Sequence, residues 1–298
     1  MNNAENMFED KYGLPLSLSE CKKSNLLLTG CNQQGKSLTA MQICDVLMLN
    51  NWQILCMDSV GVWKEKSSIP TFFTVSEKTM RYVLPKRESI IFDISMLLPS
   101  YQREFIEAIL NDVWQFRVKQ KPKHWCMIVL EEAHQYMRNL RGLVSQSLMR
   151  ICSVGANHGI RTLAISPSLT GIDTEFRRLS GQRFHFRILP EANAKRRFAS
   201  IYSKDWYRVV KHLDVGFAIY YLNERMRVVK IPLFQSNIQP MPYREPVKPK
   251  PKGIIHRILT ALNGSEDEEP EEDEEFDDID SEEEIEIDES EEYPEEWF

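Results

Sequence analysis

One stretch of the sequence limits the possible folds more than any other: SNLLLTGCNQQGKSLTA, residues 24–40. Three leucines typical of a buried strand precede the spacing Gly-x-x-x-x-Gly-Lys-Ser, and apolar residues at helical spacing follow it. This is the Walker A spacing of a phosphate loop, in which backbone N–H groups cradle phosphate oxygens and the next helix adds partial positive charge at its N-terminus. An ordinary glycine turn would match the spacing too, but the strand before it and the amphipathic segment after it favour a nucleotide site.

The loop also predicts individual contacts. Lys36 is expected to reach the β- and γ-phosphates, and the hydroxyl of Ser37 is expected to ligate Mg²⁺. The predicted nucleotide-binding residues are Gly30, Cys31, Asn32, Gln33, Gln34, Gly35, Lys36, Ser37 and Leu38.

A second apolar segment, Trp125–Leu130, ends in a pair of acids. We expect this strand to lie next to the phosphate-loop strand, so that Glu131 holds the Mg²⁺ shell through water and Glu132 acts as the general base that polarises the attacking water. A solvated pair of glutamates is the alternative, but a phosphate loop upstream in an α/β pattern favours the site. His134 either orients Glu132 or is an ordinary surface histidine.

Continuous apolar strands alternate with helical patterns along the chain, which predicts a mostly parallel sheet with helices on both faces. The predicted strands are 26–28, 53–58, 69–75 (an edge strand), 89–94, 125–130 and 162–166. One predicted helix follows the phosphate loop and runs to about residue 50. Further helices are predicted over 76–84, 99–119 and 133–152, the last with a break near Gly142. Beyond residue 170 we predict a strand over Arg183–Leu189, helices over 192–202 and 205–213, and a hairpin of 215–222 with 226–232 that adds antiparallel strands.

The chain divides into four predicted regions. An N-terminal arm or cap covers 1–23, a nucleotide-binding domain covers 24–234, and a Pro/Lys-rich linker with a short helix covers 235–264. The last region, 265–298, is expected to be disordered, because it holds 22 Asp or Glu and no Lys or Arg.

Outside the acidic tail, the chain is basic. The remainder of the chain has 22 acidic and 37 basic residues, a net charge of +15. This imbalance suggests a polyanionic partner and a tail that competes with it or solubilises the protein; a tail that is only a solvated end is the alternative. Alternatively, the aromatic residues of the tail, Tyr293, Trp297 and Phe298, form a docking peptide for a protein partner.

Cysteine and hydropathy patterns predict a soluble, cytoplasmic protein without membrane insertion. The six cysteines form no C-x-x-C pair and suit a reducing compartment, and no apolar run reaches the length of about 20 residues that spans a bilayer. The six histidines show no metal-ligand spacing, so no metal beyond nucleotide-bound Mg²⁺ is expected.

Two further roles, the γ-phosphate sensor and the arginine finger, each have several candidate residues. Ser166 and Ser168, at the end of the strand RTLAIS, are candidate γ-phosphate sensors. Arginines between 138 and 227 could supply an arginine finger to a neighbouring subunit, contact DNA phosphates, or only form a solvated basic face. The candidates are Arg150, Arg161, Arg177, Arg178 and Arg183, of which we select Arg161 and Arg178.

The motifs, in order, resemble the HerA/FtsK superfamily of DNA-pumping ATPases, especially its compact archaeal, viral and plasmid members. The resemblance covers about residues 24–234 and rests on GCNQQGKS, Asp58 with Gly61 and Trp63, IIFDIS, IVLEEAHQY, GANHGIRTLAISPS and HLDVGFAIYYL. It implies a RecA-like (ASCE) P-loop fold, ATP as the nucleotide, a hexameric ring, and movement of double-stranded DNA through its pore, with an arginine donated in trans.

The sequence departs from this superfamily at three places. Glu131 stands where an Asp is usual, Ala156 where many members have Arg, and Ser166-Pro167-Ser168 where a sensor Gln often follows the strand. The absence of both the Arg and the sensor Gln points to slow or partner-dependent ATP hydrolysis, which we expect DNA to stimulate. The missing sensor Gln keeps two other functions open: an ATP-dependent DNA-binding switch, like an initiator or partition protein, and a weakly catalytic nucleotide-binding scaffold.

Overall fold

The apolar segments assemble into one mixed sheet in a computed structural model. The model describes residues 13–72, 83–85, 87–121, 123–137, 145–189 and 192–233. The predicted linker and acidic tail lie outside these residues, as do residues 1–12 of the predicted arm, most of the helix predicted over 76–84, and the predicted break near Gly142. Among the helices of the described ranges, none combines the length and apolar character that crossing a bilayer requires.

The strands are β1 (Asn25–Thr29), β2 (Gln53–Asp58), β3 (Thr71–Phe72), β4 (Ile90–Asp93), β5 (Cys126–Leu130), β6 (Ile160–Ser166), β7 (Ser180–His185), β8 (Phe217–Leu222) and β9 (Arg225–Lys230). The helices are α1 (Leu18–Lys23), α2 (Lys36–Leu49), α3 (Pro99–Gln120), α4 (His134–Met137), α5 (Gln146–Val154), α6 (Thr174–Arg178), α7 (Ala192–Ile201) and α8 (Lys204–Val210), with a 3₁₀ turn over Gly155–His158.

The sheet order is β3-β4-β2-β5-β6-β1-β7-β8-β9. Pairing is parallel from β3 to β7 and antiparallel for β7 with β8 and β8 with β9. This confirms the predicted mostly parallel sheet with antiparallel C-terminal strands.

The expectation that the strand before Glu131 lies beside the phosphate-loop strand is wrong. β6 separates them, since it pairs with β1 through Leu28 and Ile165 and with β5 through Leu130 and Ala164. All seven residues of β6 are buried, as in a central strand with a neighbour on each side. Several strands of this chain have the same continuous apolar character, so their sequences do not specify which of them are neighbours.

Alternate residues of each central strand face opposite layers. Leu26 and Leu28 pack with α1 and α2 on one face, whereas Leu27 packs on the other face with the helices α3, α5, α7 and α8. Residues 13–23, predicted to form an arm or cap, contribute Leu14, Leu16 and Cys21 to the first of these layers.

The strand predicted over Arg183–Leu189 begins three residues earlier, at Ser180. The prediction followed the apolar alternation and missed polar residues that are buried because they have partners. Gln182 is fully buried, accepts the hydroxyl of Tyr220 at 2.7 Å and donates to the carbonyl of Ser17 at 3.0 Å. The helix α6, capped by the side chain of Asp173, was not predicted.

Candidate nucleotide-binding site

The phosphate loop leaves β1 at the carboxyl edge of the sheet and is anchored on both sides. Gly30 donates its N–H to the carbonyl of Ser166 at 3.3 Å, and Cys31 donates to the carbonyl of Arg187 at 2.8 Å. At Gly30, φ is +147°, and a Cβ there would lie 2.6 Å from the Cβ of Phe186. Glycine is therefore required where the loop passes the segment that follows β7.

The loop ends at Gly35, which has φ of +94° and precedes the first residue of α2. No side chain caps this helix, so its first N–H groups have no side-chain acceptor. Lys36 is 6% exposed and donates to the carbonyl of Cys31 at 2.9 Å, which holds its ammonium across the loop. Burial lowers the pKa of Lys36, and the nearby charges of Glu132 and Glu131 oppose this effect.

Glu131 faces the phosphate loop across the intervening strand. Its Oε1 accepts the hydroxyl of Ser37 at 2.9 Å, and its Oε2 accepts the indole N–H of Trp63 at 2.9 Å. Burial raises the pKa of Glu131 from 4.5 to about 7; the hydrogen bonds from Trp63 and Ser37 work against this, and the charges of Asp58 and Glu132 add to it.

The pair of Ser37 and Glu131 is a donor set that suits Mg²⁺. Both groups offer oxygen, they lie within hydrogen-bond distance of each other, and one is a carboxylate. Glu131 is 3% exposed, and burial raises the pKa of its carboxyl, so a cation at this place would relieve an unfavourable buried charge. The residues present therefore fit the ion that the phosphate loop implies.

Glu132 has a different environment from its neighbour. Its backbone lies in the left-handed region, with φ of +50°, and its carboxylate is 3.1 Å from Nδ1 of His134. The side chain of Glu132 is 21% exposed, so it can meet a water molecule that Glu131 cannot. Ala133 ties the turn to the sheet by donating its N–H to the carbonyl of Ile165 at 2.7 Å. This geometry favours the orienting role for His134.

Ser166 lies between the two halves of the site because β6 lies between β1 and β5. Its hydroxyl is fully buried, donates to the carbonyl of Ser168 at 2.7 Å and accepts the N–H of the same residue at 3.3 Å. The hydroxyl of Ser168 lies 2.7 Å from that of Thr170. The structure thus places the sensor candidates at the correct edge, folded back onto their own loop.

The two selected arginines lie in different environments. Arg161 lies at the start of β6, the end remote from the phosphate loop, and donates twice to the carbonyl of Lys22, at 3.1 and 2.8 Å. It is 5% exposed and holds the C-terminus of α1. Arg178 has a side chain that is 71% exposed and makes a two-pronged ion pair with Glu175.

The remaining arginine candidates have structural partners. Arg177 and Arg183 are buried, and Arg183 donates to the carbonyls of Ser180 and Arg177. Arg150 lies over the ring of Trp114, 5.7 Å from its centroid. Of these five arginines, Arg150 and Arg178 are exposed, whereas Arg161, Arg177 and Arg183 are buried.

Sequence reasoning missed the contact between Trp63 and Glu131, although it named Trp63 in the resemblance. The available signal was Asp58, an acid at the end of a buried strand like the acids after β5. Since β2 and β5 are parallel neighbours, the residues that follow them meet at one edge. Reasoning from sequence also missed a buried network in which His185 links the hydroxyls of Thr29 and Tyr202, each at 2.7 Å.

A phosphate loop after β1, an acid after β5 and a strand inserted between them define a RecA-like P-loop NTPase fold. Solved structures share this fold. The genome-packaging NTPase B204 of Sulfolobus turreted icosahedral virus 2, with ATP-gammaS, matches with a TM-score of 0.57 and 13% identity over 71% of this chain and 99% of that one.

Two other solved structures also match. The bacterial conjugative coupling protein TrwB has a TM-score of 0.58 and 9% identity, over 78% of this chain and 90% of that one. VirB4 of Thermoanaerobacter pseudethanolicus has a TM-score of 0.54 and 9% identity, over 70% and 88%. No protein-family model matches the sequence, and a search of curated proteins finds no match. At these identities, the likeness shows the fold.

Proposed function

We propose that the chain hydrolyses ATP and uses it to move double-stranded DNA. The observation that carries this proposal is the hydrogen bond between Ser37 of the phosphate loop and Glu131, since it places a buried carboxylate beside the loop that would bind the phosphates. The structural neighbours include a genome-packaging NTPase and a bacterial conjugative coupling protein, and a net charge of +15 outside the acidic tail suits a polyanion.

The proposed roles follow from the geometry. Backbone N–H groups of the loop and the N-terminus of α2 bind the β- and γ-phosphates, and Lys36 turns from the carbonyl of Cys31 to a phosphate oxygen. Ser37 and Glu131, the latter through water, would hold Mg²⁺, which when bound would neutralise phosphate charge. Glu132, oriented by His134, accepts the proton of a water that attacks the γ-phosphorus as the bond to the bridging oxygen of ADP breaks.

The finer parts of the proposal concern assembly and location. The chain would form a ring, six subunits by family analogy, in which Arg178 is the candidate finger for the neighbouring site. All six cysteines are free, which agrees with the proposed cytoplasmic location. The boundaries of the domain at 24 and 234, and a docking role for the tail, remain proposals.

The substitution Lys36→Ala tests the site. Because Lys36 would make a charge-assisted bond to phosphate, its loss should weaken nucleotide affinity about 10- to 100-fold, measured by titration with a fluorescent ATP analogue. Lys23→Ala, which removes a lysine from the exposed end of α1, is the matched control. Equal affinities of the two variants, or no nucleotide binding by the unaltered protein, would contradict the proposal.

A second substitution tests hydrolysis separately from binding. Glu132→Gln should retain ATP binding and lose hydrolysis, including any stimulation by DNA. Native mass measurement with ATP and DNA tests the ring.

An ATP-dependent DNA-binding switch is the second candidate. It is favoured by Ser166, the candidate γ-phosphate sensor, because the hydroxyl of this residue bonds to its own loop and is not directed at a phosphate. A triplex-displacement assay separates the two functions, since only a translocating motor strips the third strand. ATP hydrolysis without strand displacement would favour the switch. A protein that binds ATP but does not hydrolyse it with or without DNA would be the nucleotide-binding scaffold.

A further inference from the structure

The indole of Trp63 contacts the same carboxylate that the magnesium site requires. Trp63 is fully buried, and its N–H is the donor to Oε2 of Glu131. The other oxygen, Oε1, accepts from Ser37. The carboxylate is therefore oriented: the indole holds Oε2, and Oε1 is directed toward the phosphate loop.

A second acid fixes the position of the indole. Asp58 is fully buried, and its Oδ1 accepts the N–H groups of Val60 at 3.1 Å and Gly61 at 2.8 Å. Its Oδ2 accepts the backbone N–H of Trp63 at 2.8 Å. With φ of +80° at Gly61, these three bonds fold the segment from Asp58 to Trp63 tightly around the carboxylate. The backbone of Trp63 is thus held independently of its side chain.

A glutamate needs such an external tie more than a shorter acid would. The side chain of Glu131 has three torsions, and its carboxylate can take several positions relative to the end of β5 unless a neighbour selects one. Ser37 cannot be that neighbour once its hydroxyl turns to a metal ion. The indole N–H is directed at the opposite oxygen and does not compete for the metal.

We propose that Trp63 is a positioning residue for the metal site, which orients Glu131 so that Oε1 faces the cation held with Ser37. This inference rests on the proposed nucleotide site. It adds a residue and a supporting loop, built by Asp58, to the phosphate loop and the acid pair. Partners that orient metal-binding side chains contribute about 10- to 100-fold to metal affinity.

The alternative is that Trp63 only fills the core. It belongs to the hydrophobic layer that also contains Cys56 and Ile91. Trp63→Phe separates the two roles, because phenylalanine keeps an aromatic ring in the core and removes the N–H. Trp52→Phe is the matched control, since Trp52 is 5% exposed in the same layer but precedes β2, at the edge of the sheet remote from the site.

The experiment uses the full-length protein and Mn²⁺ as the probe. Free Mn²⁺ is measured by electron paramagnetic resonance while the ADP-bound protein is titrated, and the affinity for ADP without metal is measured in EDTA. We expect Trp63→Phe to weaken Mn²⁺ binding about 10- to 100-fold and to leave metal-free ADP affinity unchanged. Trp52→Phe should change neither quantity.

Gly61→Ala provides an independent variant if Trp63→Phe does not fold. It retains the indole but adds a Cβ at a left-handed position, 3.1 Å from Oγ of Ser95, and so shifts the segment that carries Trp63. Weaker Mn²⁺ binding with unchanged metal-free ADP binding is again expected. Mn²⁺ affinities equal to that of Trp52→Phe would overturn the inference. Absence of ADP binding by the unaltered protein would instead overturn the proposed function.

Discussion

The buried carboxyl of Glu131 predicts that the site destabilises the protein when no metal is bound. In the unfolded chain this group ionises at its ordinary pKa of 4.5, whereas the folded protein keeps the proton up to a pKa of about 7. Between these values the folded state binds more protons than the unfolded state. Its stability therefore falls as the pH rises from 4.5 to 7, and the full penalty applies above pH 7.

The substitution Glu131→Gln removes this penalty. One pKa unit corresponds to about 1.4 kcal/mol, so the interval from 4.5 to about 7 corresponds to about 3 kcal/mol at pH 8. A glutamine keeps the local bonds, because its oxygen can accept the indole N–H of Trp63 and its amide can donate to Ser37. We expect the metal-free variant to be more stable at pH 8, with Tm higher by about 6–12 °C for a domain of this size.

Thermal unfolding in EDTA at pH 8 and pH 5 measures this effect. At pH 5 the expected difference falls below about 1 kcal/mol, since Glu131 is then largely protonated in the folded protein. Glu132→Gln is the control, because it makes the same chemical change at the adjacent, more exposed residue. The reasoning fails if Glu131→Gln gives no gain at pH 8, or a gain that is the same at both pH values.

Three other perturbations have defined outcomes. Tyr202→Phe removes the hydroxyl bonded to His185 in the buried network. The free energy of unfolding, measured by urea denaturation, should fall by about 1–3 kcal/mol. No loss would mean that the hydroxyl is not needed there. Gly171→Ala adds a Cβ 2.5 Å from the Cβ of His134. It should lower ATP turnover about tenfold or more with unchanged nucleotide affinity, because it displaces His134, which orients the proposed base Glu132. Normal turnover would contradict the orienting role of His134. Truncation after Gly264 removes the acidic tail and should raise DNA affinity and ATPase rate in binding and turnover assays if the tail competes with DNA; unchanged values would exclude autoinhibition.

The local parts of the site could be predicted because they depend on neighbouring residues. The glycine spacing and the position of Lys36 specify the phosphate loop whatever the rest of the chain does, and φ of +147° at Gly30 agrees with that requirement. The acids after β5 could be placed at the same edge of the sheet because parallel strands end together. Their separate environments, buried for Glu131 and accessible for Glu132, could not be predicted, since burial depends on loops from other strands.

Strand neighbours and polar partners were decided only by the tertiary structure. Continuous apolar strands are interchangeable by composition, so the sequence did not show that β6 lies between β1 and β5. The sequence also presented Arg161 as a candidate for catalysis, whereas its guanidinium is bonded to the carbonyl of Lys22.

The sequence by itself determined a phosphate-binding strand–loop–helix unit, a mostly parallel sheet and an acid pair at its carboxyl edge, because these follow from local spacing and hydrophobic period. Only the tertiary structure brought the indole of Trp63 to Glu131, 68 residues away, and Ser37 to the same carboxylate, 94 residues away. Such contacts depend on strand order, and strand order depends on the packing of the whole sheet.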